Sequence, residues 1–172
     1  MFSRVAIRTS RLVSPLRLTL RFQSSNALNK TKLPFTYSGA GPVAVKYTSQ
    51  HEWIASHDDG TAFVGITQYA ADALGDATYI EMPEPETEVS AGESISSVES
   101  VKSASEIYQP VSGTVVEGNL TLEDSPQLIN SDPMGDGWIA KIKLENPEDM
   151  NTTEGLMTLE QYENSLEHDE DH

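Results

Sequence analysis

The chain has 172 residues, enough for one domain, and no cysteine, which excludes disulfides, thiolate metal sites and cysteine nucleophiles. Its net charge of −16 is unevenly placed: residues 1–45 hold seven basic residues and no acid, whereas residues 46–172 hold four basic residues against 27 acids, a balance of −23. The acidic part excludes phosphate neutralisation of nucleic acid, and no run approaches the roughly 18 apolar residues that span a bilayer.

The first 45 residues interleave Arg4, Arg8, Arg11, Arg17 and Arg21 with Val, Ile, Leu and Phe, so a basic amphipathic helix is available to them. That composition reads as a mitochondrial transit peptide and disordered leader, because the arginines interrupt the apolar core that a secretory signal needs. The alternative is a basic tail that binds a membrane or nucleic acid. Arg21-Phe22 marks one cleavage candidate, and any position from there to Lys46 stays open.

The expected domain, residues 46–166, reads as short strands broken by turns. Val43, Val45 and Tyr47 alternate with Ala44, Lys46 and Thr48, and His51–Ala55 follows before the turn Asp58-Asp59-Gly60. Strand-like runs continue at 61–66, 77–82, 93–101, 104–109 and 113–117. Trp138, Ala140, Ile142 and Leu144 alternate with Lys141 and Lys143, which predicts a half-buried strand. Two helices are expected, one between Thr67 as cap and Gly75 as terminator, the other from Thr158 to Leu166. Residues 167–172 form an acidic, solvated tail. Many short strands at this spacing predict an all-β sandwich or barrel, and the architecture expected for the chain as a whole is a flattened barrel-sandwich with short peripheral helices.

The segment Glu99-Ser100-Val101-Lys102-Ser103-Ala104-Ser105-Glu106 places one lysine between two strand-like runs, at a hairpin tip. An amine that an enzyme is to acylate must be exposed, rigidly supported and flanked by small residues. Val101, Ser103 and Ala104 are small, Ser100 and Ser105 keep the tip polar, and Glu99 and Glu106 offer a charged handle. The bland alternative is a surface lysine paired with Glu99 or Glu106, worth about 0–1 kcal/mol. Gly92, ten residues before Lys102, and Gly113, eleven after it, each mark a bend that gives the hairpin its context.

This segment, with Pro110-Val111-Ser112-Gly113, resembles the lipoyl-attachment segment of the H proteins of the glycine cleavage system. Tyr47–Trp53, Val64-Gly65-Ile66-Thr67 with Leu74-Gly75-Asp76, Glu81–Pro85 and Asp136–Lys141 resemble further segments of that family, over residues 46–166. The resemblance implies a non-enzymatic carrier in the mitochondrial matrix, with lipoate in amide linkage on Lys102. It implies three partners: a pyridoxal-phosphate glycine decarboxylase that loads an aminomethyl group, a tetrahydrofolate-dependent aminomethyltransferase that unloads it, and dihydrolipoamide dehydrogenase. A lipoate-attaching enzyme is the fourth. It also implies a cleft that shelters the loaded arm, with Glu52 contributing to it. The family often has a histidine just before the Leu-Gly pair, where this chain has Ala73.

The rivals are a lipoyl domain serving a 2-oxoacid dehydrogenase and an unmodified acidic adaptor. The first usually sets Asp before and Ala after its lysine, where this chain has Val101 and Ser103; a biotin carrier would have Met on both sides. His51-Glu52 and His57-Asp58-Asp59 lack metal-ligand spacing, and His57 is expected in a solvated turn. Asp132 and Asp136 read as loop chemistry, and Trp53 and Trp138 as core or barrel-edge aromatics.

Overall fold

The protein was analysed as a computed structural model that describes residues 24–29 and 42–169. Nine strands follow the β-rich runs: β1 Ala44–Tyr47, β2 Glu52–Ser56, β3 Thr61–Ile66, β4 Ala77–Glu81, β5 Glu88–Val89, β6 Ser94–Ser100, β7 Ala104–Tyr108, β8 Gly113–Gly118 and β9 Ala140–Leu144. They form two antiparallel sheets, a large one in the order β1-β2-β3-β9-β8-β5 and a small one in the order β4-β6-β7. This is the barrel-sandwich architecture expected for the chain. The two-residue β5 was not legible, since Pro83 and Pro85 precede it and only Val89 is apolar.

Both faces of the large sheet are covered. Ile54, Val64 and Ile142 join Ile80, Val98 and Ile107 of the small sheet in the core between the sheets. On the other face Tyr47, Trp53, Ala55 and Phe63 pack with Trp138, Met134 and Tyr162. A strand buried on two faces loses the in–out alternation of a half-buried one. So Lys141, which the alternating pattern places outward, is buried opposite Phe63, and only Lys143 reaches solvent on β9.

Helix α1, Gln68–Leu74, has Thr67 as its cap, whose side chain accepts from the Ala70 N–H, and it stops at Gly75. Three single turns follow: α2 Thr121–Asp124, α3 Leu128–Ser131 and α4 Asp149–Thr152. Helix α5, Leu159–Asp169, opens with a capping box in which the Thr158 N–H donates to Gln161 and the Gln161 N–H donates back to Thr158 Oγ1. It buries Tyr162 against Tyr47, their rings stacked 5.2 Å apart. Residues 167–169 are its last turn, which corrects the expected tail for those three; 170–172 lie outside the described residues.

Two further expectations are corrected. The leader assigned to 1–45 is not separate throughout: residues 24–29 pack on the domain, and β1 begins at Ala44. His57 is not in a solvated turn but 3 % exposed, its ring edge-on to Phe63. Burial holds its imidazole below the ordinary value of 6.5, against the opposing pull of Asp59 and Asp58. The folded protein therefore keeps His57 neutral where the unfolded chain would protonate it. Stability is unaffected by this group above about pH 6.5 and falls as pH drops below it. A His57→Asn protein should show a shallower loss of Tm on acidification through that range than the parent. Parallel curves would exclude the group.

Candidate functional site

The β6–β7 hairpin turns through residues 101–103. The Ser100 N–H donates to the Ser103 carbonyl at 2.8 Å. The Ser100 hydroxyl oxygen accepts from the N–H groups of Lys102 and Ser103, each at 3.1 Å, and donates to the Ser103 carbonyl at 3.2 Å. Ser100 thus builds the turn, beyond the polarity the sequence suggested. The tip is also tied sideways, because the Val101 N–H donates to the Asp76 carbonyl at 3.2 Å and Thr78 Oγ1 to the Glu99 carbonyl at 3.1 Å.

This places Lys102 in solvent on a braced support. Val101 beside it is 70 % exposed, and Ala104 and Ser103 leave the approach open. The lysine pairs with neither Glu99 nor Glu106: no ion pair involves it among the described residues. Its stem instead lies over the end of α1, where a Cβ added to Gly75 would sit 3.2 Å from Cε, 3.3 Å from Cδ and 3.5 Å from Nζ. Gly75 has φ 76° and ψ −172°, a conformation nearly confined to glycine. The sequence marked Gly75 as a helix stop but not as the seat of the lysine.

Beside the tip a cleft of about 220 Å³ opens between α1 and the hairpin. Ile66, Ala70, Leu74, Val98 and Ile107 give it apolar walls; Gln50, His51, Ser103, Ser105 and Glu106 supply its polar rim. Glu106 accepts from the Ser94 hydroxyl, which holds its carboxylate along the rim. Ala73 lines the cleft too and presents a methyl group to it. The cleft does hold an imidazole, that of His51, which the sequence offered only as a metal ligand lacking the spacing for one. His51 has φ 73°, and its Nδ1 lies 2.8 Å from the Tyr162 hydroxyl, itself 2.8 Å from Thr67 Oγ1. Burial pushes the Tyr162 phenol up to about 12, so it keeps its proton at neutral pH. The bonds close consistently if Thr67 donates to Tyr162 and Tyr162 donates to His51 Nδ1, which leaves the other ring nitrogen to carry hydrogen.

Not every expected residue meets at the tip. Glu52 is 2 % exposed on β2, where it accepts from the Tyr108 N–H at 3.2 Å and from the Thr48 hydroxyl. It fastens the end of β7 to the large sheet, one residue from the cleft-lining His51. Gly113 is not at the hairpin at all. It opens β8 in the large sheet, between Val89 and Leu144, where an added Cβ would lie 2.5 Å from the Lys143 carbonyl oxygen. Close approach of two backbones explains this glycine, and Gly92 is the one that sits in the turn before β6. No group of three or more His, Cys, Asp or Glu is arranged to hold a metal ion among the described residues.

A free amine on a stiff hairpin, next to an apolar cleft in a two-sheet sandwich, is a geometry suited to carrying a covalently attached group. Comparison with known proteins makes the class specific. Residues 45–169 match the model of the family described as glycine cleavage H-protein. The mitochondrial glycine cleavage system H protein of Saccharomyces cerevisiae is 62 % identical over 162 residues, 94 % of this chain and 95 % of that one. The H protein of Vibrio vulnificus is 50 % identical over 125 residues, 73 % of this chain and 97 % of its own. Among solved structures, a glycine cleavage system H protein from Mycobacterium marinum matches with a TM-score of 0.63 at 37 % identity, covering 71 % of this chain and 95 % of that chain. The chain belongs to the glycine cleavage H-protein family. The family match starts at residue 45, whereas the yeast match covers 94 % of the chain and so extends well into the first 44 residues.

Proposed function

We propose that Lys102 is the lipoyl-attachment residue and that the protein works in the mitochondrial matrix as the non-catalytic carrier of the glycine cleavage system. In this reading it passes the aminomethyl group of glycine from glycine decarboxylase to aminomethyltransferase, and electrons to dihydrolipoamide dehydrogenase. The observation that carries the proposal is the placement of Lys102: solvent-exposed, unpaired with either flanking glutamate, and seated over Gly75 at the mouth of the cleft.

The residues present fit an amide-linked lipoyl chain. The amine is open to an attaching enzyme, and the neighbouring cleft is apolar enough to receive a hydrocarbon arm. When bound, lipoate supplies a reducible disulfide and the sulfur on which a one-carbon fragment can travel, chemistry that a chain without cysteine cannot provide itself. The protein's own residues do the rest. The Ser100 turn and the Asp76 tie fix the origin of the arm. Ile66, Leu74, Val98 and Ile107 exclude water, which slows hydrolysis of a labile cargo. Glu106 and His51 offer polar partners at the rim for an amine. Tethering replaces diffusion by a high effective concentration at each client.

The test supplies purified glycine decarboxylase with the lipoylated protein and carboxyl-labelled glycine. Exchange of label with carbon dioxide is expected. No exchange above that of decarboxylase alone would remove the assignment.

A further inference from the structure

Composition puts residues 24–29 in the cationic leader, but the fold holds them at four places. Leu28 is 7 % exposed and joins the cluster of Tyr47, Trp53, Met134, Trp138 and Tyr162. Asn26, equally buried, accepts through its side-chain oxygen from the Tyr69 N–H at 3.1 Å and through its carbonyl from the Tyr47 hydroxyl at 2.8 Å. The Asn29 N–H donates to the Met134 carbonyl at 2.7 Å, and the Ser24 hydroxyl donates to Glu163 on α5.

The bond to Tyr69 links this segment to the site. Helix α1 is seven residues long, too short to hold itself, and the N–H groups of its first turn need outside acceptors. Thr67 takes that of Ala70; Asn26 takes that of Tyr69, the second residue of the helix. The other end of α1 is Leu74 and Gly75, the wall of the cleft and the seat of Lys102. Cutting the chain after residue 29 would strip a helix bond, the partner of a buried phenol and an apolar anchor together. The segment also lies outside the stretch matched by the family model.

We propose that processing hydrolyses a peptide bond upstream of Ser24, water supplying the new carboxylate and amine, and leaves residues 24–29 in the working protein as a strap that pins α1 beneath Lys102. The cut rests on reading the basic segment as an import leader; the strap rests on the packing alone.

Two measurements separate them. N-terminal sequencing with intact mass, on protein purified from mitochondria, should give a first residue between the leader and Ser24. A first residue after Ser24 overturns the proposal, and retention of Met1 overturns the leader reading and with it the cut. In the processed protein, Asn26→Ala and Leu28→Ala should each speed hydrogen exchange at the Tyr69 amide by about tenfold, the scale of one lost helix cap, while the Ile142 amide in β9 keeps its protection. Unchanged exchange at Tyr69 in both variants overturns the pinning.

Discussion

A Lys102→Arg protein should fold like the parent and carry nothing. Arginine keeps the positive charge, but its guanidinium does not accept the amide linkage that a lysine amine does. The turn does not depend on the lysine side chain, because its bonds run between Ser100, Ser103 and backbone groups. Exposed substitutions of this kind shift stability by about 0.5 kcal/mol or less. The expected pair of results is an unchanged melting curve and carbon dioxide exchange reduced to the level without carrier. Full exchange by the arginine protein would place the attachment elsewhere.

A Gly75→Ala protein should lose both stability and ease of modification. At φ 76° and ψ −172° a residue with a Cβ is strained by about 1–3 kcal/mol. The new methyl also meets the Lys102 stem at 3.2–3.3 Å, so the lysine must shift in its seat by a few tenths of an ångström. A fall in Tm of roughly 3–15 °C follows from the strain, together with slower acylation by the lipoate-attaching enzyme. Gly155→Ala supplies the control. Gly155 also has positive φ, at 86°, but an added Cβ meets nothing within 4 Å. Both variants should melt earlier, and only Gly75→Ala should be acylated slowly. Equal acylation of the two would show that the seat is irrelevant.

Much of this was legible along the chain, for definite reasons. Thr67 and Gly75 bracket α1 because capping and left-handed termination are local events that residue type controls. The tip was legible because a hairpin is also local, and the flanking runs become β6 and β7. What failed were contacts between distant residues. Lys141 and His57 were assigned to solvent, since a sequence does not say that Phe63 will cover both. Gly113 was tied to the hairpin by counting residues, whereas its reason is the Lys143 backbone across the large sheet. His51 and Tyr162 are 111 residues apart, and no local signal joins them. Asn26 was hidden by its surroundings, an uncharged residue inside a strongly basic stretch.

The Ser100 hydroxyl uses its one hydrogen and both lone-pair directions within three residues of backbone, so the loop's shape is set without reference to what hangs from position 102. The turn therefore keeps one shape whether or not Lys102 is acylated. Under the proposed function, a client then reads the state of the shuttle from the group on Lys102 and from where that group lies against the cleft, and not from the shape of the turn.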